Sequence, residues 1–240
     1  MFLDGVVILP LMSEQTNVHG FPSVYEDLSA DVAALLTTAI VSDSCDSAGL
    51  RNQVMAAGIR SIRPGARVVG RARTVRFEPD ETDPADPYGA AMAFIDSLGP
   101  GTVAVIATGP DARTAYWGEL FSASAKGHGA VGTVCDGPVR DVPKIRAVGF
   151  DVFAPSSRPI DFRGRMRVLA AGEAVRCGGV VTSPGDLVLA DEDGVVVVPR
   201  DAETEVLRRA VERATAESSV LKELLAGASL REVWERWHVL

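Results

Sequence analysis

Thr102-Val103-Ala104-Val105-Ile106-Ala107, then Leu120 to Lys126, Ala130-Val131-Gly132-Thr133-Val134-Cys135, Pro143 to Val148 and Val152-Phe153-Ala154 are the segments that decide the fold. The first, third and fifth are short apolar runs, the way strands buried on both faces read. The second and fourth are short helix-forming stretches. Strand–helix–strand–helix–strand alternation implies parallel pairing through crossovers. Upstream, Arg67 to Val75 is rich in β-branched residues and follows Pro64-Gly65, so it is expected to be a strand. Leu28 to Ile40 reads as a helix with Asp31 near its start, and a second helical stretch is expected after Val41-Ser42-Asp43. Glu78 to Pro87 carries three prolines and five acids, a surface loop.

From Arg165 the pattern changes. Arg165 to Val175, Gly179-Val180-Val181, Leu187-Val188-Leu189 and Val195 to Val198 read as short strands of a meander or compact β layer. A long helix is expected from Asp201, with Val206, Leu207, Ala210 and Val211 on its apolar face and a break at Ala226-Gly227. The expectation is a single α/β domain over 1–240.

With 240 residues and 47% apolar content, the chain is long and hydrophobic enough to build a core, which excludes disorder. No apolar run approaches the roughly 18 residues needed to cross a bilayer. A net charge of −8 argues against nucleic acid as a partner. Cys45, Cys135 and Cys177 are odd in number and widely spaced, so reduced thiols are expected. Met1-Phe2-Leu3-Asp4 has no basic segment of the kind that opens a secretory leader, and a cytoplasmic protein is expected.

Several motifs carry little. Gly127-His128-Gly129-Ala130-Val131-Gly132 matches G-x-G-x-x-G, but it follows a helix and precedes a strand, the reverse of the dinucleotide motif. Those glycines are expected to end the helix and turn into the strand. His19, His128 and His238 show no metal-ligand spacing. Cys45 sits beside Asp46 with nothing near it in sequence to lower its pKa. Trp117 offers a face for a ligand, or simply packs.

The informative stretch runs from Trp117 to Arg165. A glycine-led turn, Trp117-Gly118-Glu119-Leu120, opens a helix whose first amides form a cradle for a carboxylate or phosphate. Past the next buried strand, Asp136-Gly137-Pro138-Val139-Arg140-Asp141 sets a guanidinium beside a carboxylate where ligands bind in open α/β sheets. This combination suits enolate formation from a 2-oxo acid. Asp141 could supply an oxygen ligand to a divalent cation whose other positions hold water. Arg140 could donate to the keto oxygen as charge develops. Glu119 could orient a water on the cation as proton donor or acceptor. A structural reading stands beside this: Asp141 before Val142-Pro143 is also placed to N-cap a helix, and Arg140 could bridge to Asp136 or Asp151.

The same stretch resembles the RraA-like family, which includes the class II 4-hydroxy-4-methyl-2-oxoglutarate/4-carboxy-4-hydroxy-2-oxoadipate aldolases. Glu119, twenty residues from Leu120 to Val139, then Arg140-Asp141 matches the family's spacing. So do Gly149-Phe150-x-Val152-Phe153-Ala154, Gly164-Arg165, Pro184-Gly185-Asp186 and Asp191-x-Asp193-Gly194. The likeness extends over about residues 25 to 240. It implies a three-layer β/β/α sandwich like the phosphohistidine swivelling domain, in trimers or hexamers with the active site between subunits. It also implies Mg²⁺ or Mn²⁺ held by Asp141, with Glu217 of a neighbouring C-terminal helix supporting its waters. The pyruvyl group would lie on Arg140 and on the turn of Gly118, Glu119, Leu120 and Phe121. The implied activity is pyruvate release from a 4-hydroxy-2-oxo diacid, oxaloacetate decarboxylation, or both. The family is named for a non-catalytic regulator that binds a ribonuclease, which is the alternative. The sequence departs from the aldolases in having Glu119 where Asp is frequent, and Asp151 where Pro is common.

Overall fold

A computed structural model describes residues 25, 28–109 and 113–239. Met1 to Asp4 and His19 lie outside them. The first elements are α1 (Ala30–Leu35), α2 (Thr38–Ser47), β1 (Arg60–Ser61), β2 (Val68–Pro79), α3 (Gly89–Asp96) and β3 (Thr102–Ala107). Then come α4 (Glu119–Gly127), β4 (Gly132–Cys135), α5 (Val142–Val148) and β5 (Val152–Ala154). The C-terminal part holds β6 (Met166–Ala171), β7 (Val175–Cys177), β8 (Val180–Thr182), β9 (Leu187–Asp191), β10 (Gly194–Val198), α6 (Glu203–Leu225) and α7 (Leu230–Trp237). Two compact units result: Asn52–Arg200, and the residues up to Arg51 with those from Asp201.

The first of these units is built on the parallel run anticipated from the alternating pattern. β2 pairs with β3, β3 with β4 and β4 with β5, all parallel. The sheet order is β1-β5-β4-β3-β2-β9-β10, with β6 added antiparallel to the later half of β2. Val54, ahead of β1, bridges to Val196 of β10, so the sheet nearly closes on itself. Strand alternation distributes the apolar side chains between two cores. Ala104, Ile106, Cys135, Val152 and Ala154 face Phe94, Ile95, Ala125 and Ile145 of helices α3, α4 and α5. Val103, Val105, Ala107, Val134 and Phe153 face Val175, Cys177 and Val180 of the β7–β8 hairpin, with Val195 and Val197. Helices, main sheet and a second β layer make the three-layer β/β/α arrangement expected from the family resemblance.

Several boundaries differ from the sequence reading. The helix expected over Leu28 to Ile40 is two helices. Leu36 is extended, and Thr37 Oγ1 accepts the Ile40 amide at 3.2 Å, so a side-chain cap displaces a continuous backbone ladder. Val41-Ser42-Asp43 falls inside α2. Strand β2 runs past Val75 to Pro79 because, on the edge away from β3, it pairs first with β9 (Val68 to Arg71) and then with β6 (Val75 to Pro79), the latter across a bulge at Arg76/Phe77. The expected strand from Arg165 to Val175 is broken at Gly172, where φ is +77°, leaving β6 and the start of β7. Helix α3 went unread because Gly89-Ala90-Ala91 adjoins the proline-rich loop. The G-x-G-x-x-G glycines do end α4 and turn into β4.

In the other unit, α2 packs on α6. Ile40, Val41 and Cys45 are buried on α2, and Val206, Leu207, Ala210 and Val211 on α6. Arg213 joins the two helices through Asp43 at 2.7 Å. Among the described residues no helix is long and apolar enough to cross a membrane.

All three cysteines are free and buried. Burial, then the neighbouring Asp46, pushes the Cys45 thiol up to about 11. Burial also raises Cys135 and Cys177. The thiolate is the reactive species. At pH 8 the native protein is therefore expected to leave all three thiols unlabelled by a thiol-exchange reagent over minutes, and to expose all three in denaturant; rapid labelling of the folded protein would contradict the burial.

Candidate active site

Three loops leaving the C-terminal ends of β3, β4 and β5 meet in extended backbone. Tyr116 N–H donates to Pro138 O (3.0 Å), Arg140 N–H to Trp117 O (2.9 Å) and Ala115 N–H to Ile160 O (2.7 Å). Asp136 fixes the ends of the strands. Its Oδ1 accepts the Thr108 amide (2.7 Å) and hydroxyl (2.9 Å), and its Oδ2 accepts the Gly178 amide (3.1 Å). Burial raises the Asp136 carboxyl, and these hydrogen bonds oppose that rise. Gly137 follows because nothing larger fits: a Cβ there would lie 2.7 Å from Thr108 Oγ1.

Arg140 and Asp141 come next, and neither adopts the structural reading left open by the sequence. Asp141 occupies the residue ahead of α5, yet its side chain makes no capping hydrogen bond. Its backbone is left-handed, φ 60° and ψ 30°, one of two non-glycine residues at positive φ among those described. Such a conformation costs about 1 kcal/mol or more for a side-chain-bearing residue and persists where surrounding contacts enforce it. Arg140 pairs with neither Asp136 nor Asp151. Its Nη1 donates to Asp161 Oδ2 at 2.9 Å, and its Nε lies 3.7 Å from Asp141 Oδ2. Asp151 is instead ion-paired with Arg63.

The glycine-led turn lies directly against this pair. A Cβ on Gly118 would sit 2.9 Å from Asp141 Oδ2 and 3.3 Å from Arg140 Cγ. The first backbone bond of α4 is Ser122 N–H to Gly118 O at 3.0 Å. The amides of Glu119, Leu120 and Phe121 precede it, at the positive end of the helix dipole. Trp117 packs: it stacks on Phe150 and its Nε1 donates to Ser122 Oγ at 2.7 Å, which braces the turn. A cavity of about 630 Å³ opens here, lined by Gly118, Glu119, Leu120, Phe121, Arg140 and Asp141 together with Tyr88, Met92, Trp117, Lys144 and Phe162.

Glu217 lies in α6, in the other unit, ion-paired with Arg213 at 2.8 Å; the role the resemblance implies for it belongs to a neighbouring copy. The site also holds residues the sequence reading missed. Lys144 Nζ is 3.0 Å from Glu119 Oε2, and that hydrogen bond and charge raise the lysine above its ordinary value. Lys144 stands one helical turn after Asp141, which a helix-face reading of Asp141 to Lys144 would have noticed. Asp161 accepts from Tyr88 Oη (2.9 Å) as well as from Arg140. No motif marks it, since it acts only through contacts made after folding.

A family model described as RraA-like, Aldolase/RraA, matches residues 38–197. The chain belongs to the RraA-like family. Its relatives include DlpA of Legionella pneumophila, 30% identical over 203 residues that cover 82% of this chain and 32% of DlpA. This RraA-like chain thus spans about a third of that relative's length. A Halalkalibacterium halodurans protein named "Putative 4-hydroxy-4-methyl-2-oxoglutarate aldolase" is 32% identical over 73% of this chain and 78% of its own. Among solved structures, Streptomyces coelicolor RraAS2, described as an unusual member of the RNase ES inhibitor RraA protein family, superposes with a TM-score of 0.69. It is 29% identical over 80% of this chain and 96% of its own.

Within this RraA-like site, burial alone would raise Asp161. The Arg163 amide, the Tyr88 hydroxyl and the Arg140 guanidinium outweigh it and hold the carboxyl below the usual carboxylate range. A depressed carboxyl stabilises the fold above the unfolded-state pKa, about 4, and loses that contribution as pH falls through its folded value. The stability gap between wild type and Asp161→Asn in denaturant melts is therefore expected to be largest near pH 7 and to shrink by pH 3. A gap independent of pH would rule out the charge as its source.

Proposed function

We propose that the protein is a divalent-metal-dependent carbon–carbon lyase. It would release pyruvate from a 4-hydroxy-2-oxo acid, as 4-hydroxy-4-methyl-2-oxoglutarate aldolases do, or carbon dioxide from oxaloacetate, through a pyruvate enolate. The reading is carried by one observation: Arg140 and the uncapped carboxylate of Asp141 line the same cavity as the first turn of α4. The aldolase name of a 32%-identical relative supports it.

Asp141 fits a hard cation such as Mg²⁺ or Mn²⁺. Its side chain is 40% exposed and unused as a helix cap. Among the described residues no group of three or more His, Cys, Asp or Glu side chains could hold a metal. The fit is to an ion bound through one or two carboxylates that keeps several waters. Such an ion supplies Lewis-acid polarisation of the 2-oxo group.

The chain's own residues do the rest. The amides of Glu119, Leu120 and Phe121 receive the substrate C1 carboxylate. Arg140, aimed by Asp161, donates to the C2 oxygen as it becomes anionic; a preorganised donor of this kind is worth about 10²–10³ in rate. The C4 hydroxyl would pass its proton through water to Glu119, C4 becomes the carbonyl of the departing aldehyde or ketone as the C3–C4 bond breaks, and the electron pair of that bond passes into the C2–C3 enolate. Protonation at C3 then yields pyruvate, with Glu119 placed to move a proton through water. Glu119 is held by Lys144, which fixes its orientation. Glu217 from a neighbouring copy, in a trimer or hexamer, is the proposed outer support of the metal waters.

Arg140→Ala and Asp141→Ala are each expected to abolish pyruvate release from 4-hydroxy-2-oxo acids and oxaloacetate in a lactate-dehydrogenase-coupled assay. EDTA should do the same to the wild type. Activity retained in either variant overturns the mechanism. The likeness to RraAS2 supports a second reading, a ribonuclease-binding regulator. Absence of turnover with every substrate, together with inhibition of a ribonuclease by the purified protein, would favour that reading. In the lyase reading Asp161→Asn, which keeps the shape but removes the charge facing Arg140, is expected to lower kcat by about 10–100-fold, as loss of an outer-shell partner does, with less effect on KM.

A further inference from the structure

Strand β2 carries an arginine on its helix-covered face that the fold does not use. Val75 and Phe77 belong to the core under the helices, and Arg73, two residues before Val75, shares their face. Arg73 is half-buried. Among the described residues no hydrogen bond or ion pair reaches its guanidinium. Its neighbour Arg71 differs: that side chain is buried and donates to Gly185 O at 3.4 Å. Around Arg73, helix α3 and strand β6 wall a recess of about 470 Å³ that shares no lining residue with the active-site cavity. The recess has depth because α3 faces it with the small side chains of Ala90 and Ala93, while Phe94 is turned into the core. Val168 and Ala170 of β6 stand on the other side.

We propose that this recess is a second binding site, for a small carboxylic acid with a compact aliphatic body. The carboxylate would meet Arg73 and the body would lie between Ala90 and Ala93 on one side and Val168 and Ala170 on the other. An exposed arginine spreads its stem over apolar surface and leaves its head in water. Arg73 is instead half-buried between apolar walls, where a cation without an anion carries a desolvation cost. A carboxylate relieves that cost through two parallel hydrogen bonds to the guanidinium fork. The volume is that of a small-molecule site. No bond changes there, so the site stands or falls independently of the lyase reading.

The test is calorimetric titration of the whole chain with 4-methylpentanoate in EDTA, with 4-methylpentanamide as its uncharged match and backbone amide NMR shifts to place the ligand. Saturable binding of the acid is expected, at least about tenfold tighter than the amide, the scale of a charge-assisted hydrogen bond. The largest shifts should fall at Ala90, Ala93 and Ala170. Arg73→Gln should weaken the acid by about tenfold or more and leave the amide little changed. Ala93→Leu, on an exposed position of α3, should fill the recess and weaken both. If Arg73→Gln does not fold, Arg73→Lys, which keeps the charge and loses the fork, should weaken the acid in the same direction with less effect. Absence of saturable binding, or equal affinity for acid and amide, overturns the site. Shifts centred on Leu120 and Phe121 overturn it as well, because the carboxylate would then lie on the first turn of α4. A fall in oligomer mass caused by Arg73→Gln also overturns it, since the guanidinium would then be serving a carboxylate of another copy.

Discussion

Parallel pairing of β3 with β4 and of β4 with β5 is the constraint on which the rest depends. It sends three consecutive loops out of the same sheet edge, so residues far apart in sequence become neighbours without any special affinity for each other. The register is held at that edge by a half-buried carboxylate: Asp136 ties the end of β4 to the Thr108 backbone and to the Gly178 turn. Burying it carries a desolvation cost, offset by three hydrogen bonds. With the strand ends fixed, the loops hydrogen-bond to each other, and the side chains of Arg140 and Asp141 acquire a defined direction.

The two members of that pair are controlled by different forces. Arg140 is oriented electrostatically, through Asp161 and the Tyr88 hydroxyl behind it. Asp141 is oriented by its backbone, held left-handed beside the Gly118 turn, where a Cβ would press on its Oδ2 at 2.9 Å. An arginine aimed by an anion keeps its charge and loses its freedom. An aspartate with no cap to make keeps oxygens available. The same local arrangement therefore presents a fixed cation and an accessible anion to one cavity, the pair on which the proposed lyase chemistry rests.

Much of this was legible in the amino-acid sequence. Uniform apolar runs such as Thr102 to Ala107 can be strands only if both faces are covered, and that alone implied layers on either side. The Arg140-Asp141 pair and the Gly118 turn were legible because their chemistry is written in adjacent residues. Asp161 was not, since it matters through partners in other segments, and Lys144 was legible only as a neighbour of Asp141 on one helix face, not as the partner of Glu119. The division of helix 28–40 turned on a threonine cap, and the extent of β2 on its pairing with β6, both decided by competition between local and distant hydrogen bonds. Glu217 rested on family likeness, and in this chain its carboxylate is engaged with Arg213.

The left-handed backbone of Asp141 makes position 141 a place where conformation and charge can be separated by substitution. Asparagine tolerates that region nearly as well as aspartate does, whereas β-branched residues do not. Asparagine there removes the anion and preserves the chain path, glycine relaxes the path and removes the side chain, and valine opposes the path outright. Loss of the carboxylate and distortion of the loop that carries Arg140 can thus be produced separately at a single position.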